Sequence, residues 1–273
     1  MAHTATTLNS DAAWRPDLNT FLAADVVPDA AILAATTVAG SIEGDQPVVR
    51  VAFVDDDDAV ITPEGEELNE AEPVLDEVTI ATSKVTQLVR LSREQWSQEG
   101  TADQLSQSVR RAIVKRADTL FLAEPTTGLA NNTDLVDGGD VGDDLDALID
   151  LEATLRENGA TPGLFMLAPT TWAALRKLRV GVDSNQSLLG AGTSDAQKLL
   201  LDVPVLINNA LDAGTGLLID PGAVVSAVGD VQVASSDQVY FTSDSIALRA
   251  TWRIGHAVPR PDRVGIFSVG AAS

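Results

Sequence analysis

The sequence contains no cysteine, which excludes disulfides and thiolate metal centres and suits a reducing cytoplasm. Histidine occurs twice, as His3 and His256, so with no Cys and no paired His a zinc site has no ligand set. Aromatic residues make up 4% of the chain against 45% hydrophobic residues in all. The core is therefore aliphatic, built from Val, Leu, Ile and Ala, with few aromatic anchors. Cations are scarce as well: 18 Lys and Arg stand against 40 Asp and Glu, for a net charge of -22. That balance excludes a surface that gathers nucleic acid by attraction, because affinity for phosphates comes from clustered Lys and Arg; contact with DNA is left only as containment. No run approaches the roughly 18–20 apolar residues of a bilayer-spanning helix, and the N-terminus lacks the basic-then-apolar order of a secretory signal. A soluble, cytoplasmic chain with no membrane partner is expected.

Signatures of catalysis are missing too. There is no phosphate-cradling GxxxxGK, and Gly190-Ala191-Gly192-Thr193 lacks the third glycine of a dinucleotide loop. His256 stands alone between Gly255 and Ala257, without a nucleophile to serve. Asp55-Asp56-Asp57-Asp58 invites a calcium reading, but an EF-hand register from Asp55 puts Val60 where glycine is required. The Gly- and Asp-rich stretch from Asp134 to Asp144 resembles a calcium-binding repeat only once, where such architectures stack several copies. No enzyme activity, cofactor or built metal site is expected; weak divalent binding is the most these acidic segments offer.

What the chain does have is a lopsided hairpin. Pro47 to Val54 leads in and Glu77 to Thr82 leads out, both β-like, while Asp55 to Glu77 carries eleven carboxylates and no Lys or Arg. Pro63-Glu64-Gly65 and Pro73 supply turn signals. Such a loop cannot form a core of its own and needs an external partner, the simplest being a neighbouring copy of the same chain.

The clearest helix follows. Thr101 to Gln104 reads as a capping box, Leu105, Val109, Ala112, Ile113, Leu120 and Phe121 recur at helical spacing, and Pro125 ends the run. Arg111 and Lys115 share its polar face with Asp118, whereas Arg116 falls within the apolar stripe. Arg116 either snorkels to solvent or pairs with a carboxylate of another segment or subunit.

Elsewhere the pattern is mixed. Residues 1–44 read as an extended arm with a short helix near Asp29 to Ala35, and Val85 to Ser92 as a strand with Ser92 capping the turn after it. Asn131 to Asp144 reads as a loop. A helix from Asp144 to Asn158 presents Leu145, Leu148, Ile149 and Leu155 on one side and stops at Gly159. Gly163 to Ala168 is a buried strand, Pro169 opens a short helix, Val180 to Asp195 is a Gly-rich loop, and Leu199 to Ile207 and Gly216 to Ile219 are strands, which argues for an α/β lobe over about 140–225. Gln232 to Ala234, Gln238 to Phe241, Ile246 to Ile254 and Val264 to Val269 read as strands, the first three antiparallel.

The order of these parts resembles the tailed-bacteriophage major capsid protein of the Hong Kong ninety-seven type, an α+β fold. Glu64-Gly65, Val89-Arg90-Leu91-Ser92-Arg93-Glu94, Ala168-Pro169-Thr170-Thr171-Trp172-Ala173-Ala174-Leu175, Val203-Pro204-Val205 and Asp220-Pro221-Gly222 are similar to that family's phrases, and the likeness covers about 25–270. The resemblance implies an N-terminal arm over 1–44 and an extended loop over 45–84. It implies a peripheral domain over 85–133 and 227–273 with a spine helix over 101–124, and an axial domain over 134–226. It further implies a structural protein, not an enzyme, that assembles through hexamers and pentamers into an icosahedral virion capsid in the bacterial cytoplasm. Double-stranded DNA would be enclosed without sequence recognition, and separate scaffold, portal and decoration proteins are further partners of this class. Asp55, Asp56, Asp57, Asp58, Glu64, Glu66, Glu67, Glu70 and Glu72 would contact the adjacent subunit, and Arg111 and Lys115 would face DNA. The segment 55–77 lacks the lysine through which some members crosslink, so a noncovalent shell is expected; no long helical, charged scaffold region precedes the arm, and Met1 favours scaffolding by a separate protein. An encapsulin, the cellular cargo shell on the same fold, is the alternative, although Met1 to Leu22 lacks the amphipathic stripe of a cargo-receiving helix. A stand-alone α/β hydrolase or binding protein fails for want of a nucleophile and base.

Overall fold

The structure, a computed structural model, describes residues 18–55, 74–96, 98, 101–179, 189 and 198–270. Two six-stranded sheets and a two-stranded hairpin make up its framework. The first sheet is centred on the long strand β13 (Ser245–Ala257), flanked by β5 (Ser83–Ser92) on one side and, in succession along the other, by β11 (Val225–Gly229) and β12 (Val231–Tyr240). Beyond β12 and β11 the sheet is extended by the N-terminal region: β1 (Leu18–Phe21) pairs antiparallel with β12, and β2 (Thr37–Ile42) runs parallel to β11.

Alternation along β13 explains this sheet. Leu248, Ala250, Trp252 and Ile254 are buried against one face, with the Trp252 indole donating to the Gly229 carbonyl at 2.9 Å. Over them lies α4 (Thr101–Leu122), which presents Val109, Ile113, Ala117 and Phe121. These recur every four residues. Because four residues turn slightly more than 360°, the buried line drifts by about 40° at each step along the helix. The arm joins the same core. Ala23 of α1 (Ala23–Val26), then Val27, Ala30, and Ala31, Ile32 and Ala35 of α2 (Ala31–Ala35) are all buried. The second half of the supposed extended arm is thus part of the core, although Phe21 and Leu22 remain exposed.

The second sheet runs β6 (Val136–Val141), β14 (Val264–Val269), β10 (Thr215–Ile219), β7 (Leu164–Leu167), β9 (Val203–Ile207), β8 (Leu199–Leu200). It is buried on both faces, which is why β7 reads as an unbroken apolar run. Leu164 and Met166 point into the core shared with α4, whereas Phe165 and Leu167 pack with Leu148, Leu151 and Leu155 of α5 (Asp146–Glu157) and Leu175 of α6 (Pro169–Leu175). Asp118, Asn208 and Ala31 bind the two sheets and the arm together, as described below.

Several expectations need correction. The segment 131–144 is not all loop: β6 pairs parallel with β14, with a register shift near Gly139, whose φ of 70° and amide bond to the Asp137 carboxylate at 2.8 Å kink the strand. Leu199 to Ile207 is not one strand. Leu201 and Asp202, at φ 49° and 63°, form a two-residue turn that folds β8 back on β9. In α5 the buried set is Leu148, Leu151 and Leu155; Ile149 is 49% exposed. Gln232 to Phe241 forms the single strand β12 followed by a short 3-10 turn. Finally, the C-terminal return is divided, since β12 and β13 belong to the first sheet and β14 to the second.

Candidate functional site

The hairpin stands where the sequence places it. β3 (Val48–Asp55) pairs antiparallel with β4 (Val74–Ala81), Val48 opposite Ala81 and Asp55 opposite Val74. Eight residues at about 3.4 Å each give arms of about 27 Å. Asp55 closes β3; Asp56, Asp57, Asp58, Glu64, Glu66, Glu67, Glu70 and Glu72 lie outside the described residues.

The root of the hairpin is anchored in two ways. Ile80, Ile42 and Ala227 are buried together, with Val49, Val51 and Val78 packed on them. Beside them the Arg253 guanidinium donates to Thr82 Oγ1 at 2.9 Å and to the Gln46 carbonyl at 3.3 Å, touching both legs at once. Thr82 itself donates its amide to the Pro47 carbonyl at 2.9 Å. Lys84 Nζ and Arg253 Nη2 reach Asp45 Oδ1 at 3.1 and 3.6 Å; the Lys84 hydrogen bond and charge, then Arg253, hold that carboxyl below its ordinary range. The exposed Arg50–Glu77 pair at 3.5 Å adds little to this anchor.

The second surface is the outer side of α4. Arg111 and Lys115 are exposed and, with Arg110, Asp29, Val114 and Asn209, rim a hollow of about 350 Å³ with Asp118 in its wall. Asp118 does not share their solvated face. It is buried, accepting the Ala31 amide at 2.8 Å and the Asn208 side-chain amide at 2.7 Å. Burial pushes its carboxyl above the ordinary range, while those two hydrogen bonds pull the other way. Arg116 is a correction in the opposite direction: it is exposed and meets Glu124 at 3.4 Å, so it is neither in the apolar stripe nor buried. Both outcomes follow from the drift of the buried line, which by the last turns has moved away from Arg116 and toward Asp118.

Asp137, Asp140, Asp144 and His256, among the residues weighed for metal or catalysis, have structural work. Asp137 and Asp144 cap amides two residues on, and Asp140 accepts the Ser268 hydroxyl at 2.9 Å. His256 lies edge-on to Phe121, with ring centroids 4.9 Å apart, and burial lowers its pKa to about 4 against the raising effect of its bond to the Thr127 backbone. Among the described residues no group of three or more His, Asp or Glu gathers to hold a metal ion, and no helix is long and apolar enough to cross a membrane. Sequence reasoning puts Asp118 on the solvated face and does not single out Asn208 or Arg253; nothing local marks their roles, because their partners are distant in the chain.

Comparison with curated protein sequences finds no match. Comparison with solved structures finds the same fold in proteins of phages and in the capsid of a GTA particle. The chain is similar to a protein of Microbacterium phage Oxtober96 at TM-score 0.66 and 14% identity, covering 88% of this chain and 91% of that one. Gordonia phage Cozz gives 0.63 at 15% identity, covering 88% and 86%. The capsid of a native GTA particle gives 0.63 at 16% identity, covering 86% and 89%. The sequence profile of the phage capsid family matches residues 16–268. The chain therefore belongs to the phage capsid family.

Proposed function

We propose that this structural protein of the capsid shell assembles through hexamers and pentamers into an icosahedral shell that encloses double-stranded phage DNA, held by noncovalent contacts. The match of nearly the whole chain to the capsid family carries this reading, and the hairpin supports it. An element anchored at its root and continued by an acidic segment gains stability once it lies along a neighbour. A long loop costs only about 0.6 kcal/mol of closure entropy per doubling of its length, and a closed shell repeats its contacts many times. In this reading the first sheet with α4 forms the peripheral domain and most of the second sheet the axial domain. The cellular cargo-shell alternative is not favoured, since the family match and the neighbours described above are those of phage capsids and a GTA particle.

The outer face of α4, with Arg111 and Lys115, would line the interior. DNA carries one charge per roughly 1.7 Å of axis, so a wall with sparse cations on an acidic chain holds it without immobilising it. A shell reconstruction with Arg111 and Lys115 on the outside removes that role.

The test is to express the chain alone and with its neighbouring genes, then to apply size exclusion and negative-stain microscopy. Closed shells or capsomer rings are the expected products. A monomer of 28.6 kDa under both conditions overturns the reading; shells only on co-expression assign the missing part to a separate scaffold.

A further inference from the structure

On α4 the cations Arg110, Arg111 and Lys115 stand together, although the whole chain has only 18 Lys and Arg against 40 Asp and Glu. Arg111 and Lys115 lie one helical turn apart, so their charges repel along one face. Nothing in the fold offsets that repulsion: among the described residues neither side chain has an ion pair or a hydrogen bond. Both border the hollow of about 350 Å³ that α4 forms with Asp29 and Asn209. The carboxylate buried in its wall is spent elsewhere, since Asp118 Oδ1 accepts the Ala31 amide and Oδ2 the Asn208 side-chain amide. That bond to Asn208 holds the next residue, Asn209, at the rim, where its own side-chain amide has no hydrogen-bond partner among the described residues. Asp29, in the turn before α2, does answer one cation, Arg110, and that pair is exposed to solvent. The hollow thus gathers two unanswered cations, one open amide and a third cation under a displaceable carboxylate.

We infer that this hollow is a phosphate site, with Arg111, Lys115 and Asn209 as its donors and Arg110 joining them when the ligand displaces Asp29. Chemistry selects the ligand. A phosphate group sets several acceptor oxygens around one centre, which suits converging guanidinium, ammonium and amide donors. A peptide carboxylate has two oxygens in one plane and only repeats what Asp29 already supplies. At roughly 30 Å³ for each water, the hollow has room for a phosphate together with its remaining hydration. The net charge of -22 does not forbid binding, because at about 0.1 M salt charges more than about 10 Å away are largely screened. Competition from Asp29 keeps the contact exchangeable, as a wall that holds DNA without immobilising it requires. DNA as the source of the phosphate rests on the assembly reading above, whereas a free phosphate would use the same donors without it.

The test is calorimetric titration of the unassembled full-length chain with inorganic phosphate and with a short DNA duplex. Saturable binding is expected. Arg111→Gln combined with Lys115→Gln should weaken it by about tenfold or more, through loss of charge-assisted hydrogen bonds. Asp29→Asn should tighten it by about threefold, because Arg110 loses its competitor; a gain of this kind cannot come from misfolding. Arg116→Gln, on the same helix but paired with Glu124 outside the hollow, should leave it unchanged. Binding of the duplex alone supports the site with the DNA backbone as its ligand, and binding of inorganic phosphate alone supports it with a free anion. No saturable binding of either, an equal loss in Arg116→Gln, or no gain in Asp29→Asn overturns the inference. So does a peptide of residues 55–77 that displaces phosphate, since the hollow would then belong to a carboxylate segment. Negative-stain microscopy keeps the two readings apart. Closed particles from a chain that binds neither ligand overturn only the phosphate site; saturable binding by a chain that forms no particles under any condition overturns the assembly reading and leaves the site in place.

Discussion

The carboxylate of Asp118, on α4, accepts the backbone amide of Ala31, on α2, at 2.8 Å across 87 residues of sequence. The Asn208 amide completes the arrangement at 2.7 Å. One buried acceptor thus joins the arm, the spine helix and the end of β9. Replacing it by Asp118→Ala leaves the Ala31 N–H and the Asn208 amide buried without an acceptor, at about 1–3 kcal/mol for each group. We expect a loss of about 2–4 kcal/mol in total, with Asp118→Asn milder because one oxygen remains. Thermal unfolding of the unassembled chain measures it, and an unchanged midpoint for Asp118→Ala would refute the joint.

His256 sets an acid limit. Its pKa falls from an ordinary 6.5 to about 4 on folding, so above 6.5 both states are neutral and the group contributes nothing. As pH falls from 6.5 toward 4 the unfolded chain takes up a proton that the folded chain refuses, and stability is lost. At about 1.4 kcal/mol per pH unit the loss is roughly 3 kcal/mol at most. Asp118 acts in the opposite sense, since its raised carboxyl lets the folded state gain a proton first. We expect His256→Gln to flatten the fall in melting temperature between pH 6.5 and 4 relative to the unmodified chain; identical slopes would exclude His256 as its source.

Arg253 braces the hairpin root. Arg253→Met keeps the aliphatic stem and removes the donors to Thr82 and Gln46, each hydrogen bond to a charged group being worth about 1.5–3 kcal/mol. Amide exchange should accelerate at Thr82 and along β3 and β4 while α5 stays protected. Uniform acceleration across the chain would mean that Arg253 supports the whole sheet and not the hairpin alone.

Gly138 and Gly265 let two strands lie against one leucine. A Cβ at Gly265 would sit 2.8 Å from Leu151 Cδ1, and at Gly138 2.7 Å from Leu151 Cδ2. Gly265→Ala should cost about 1–3 kcal/mol by overpacking. Combined with Leu151→Ala it should cost less than the sum of the two single changes; strict additivity in urea unfolding would show that the methyl meets no resistance from Leu151.

Legibility followed distance along the chain. The hairpin arms, α4 and α5 were readable because alternation and a helical repeat are properties of neighbouring residues, and the Ser92 cap was too: its hydroxyl accepts the Gln95 amide at 3.2 Å. The order of these parts along the chain is itself enough to suggest the capsid family. β6 was missed because Val136-Asp137-Gly138-Gly139-Asp140-Val141 has turn composition throughout, and only pairing with β14, more than a hundred residues on, holds it extended. Arg116 and Asp118 were assigned to the wrong surroundings because an average helical wheel ignores the drift of the packed line.

By itself the sequence determined a cysteine-free, acidic, aliphatic chain with an acidic hairpin, a spine helix and an α/β lobe, since composition and short-range periodicity are present before folding. The tertiary structure alone decided that Asp118 is buried, that Arg253 grips the hairpin root, and that Asn209 meets Arg111 and Lys115 at one hollow. Each of these depends on which distant segments meet, and that is set by the sum of all the packing and not by any local pattern.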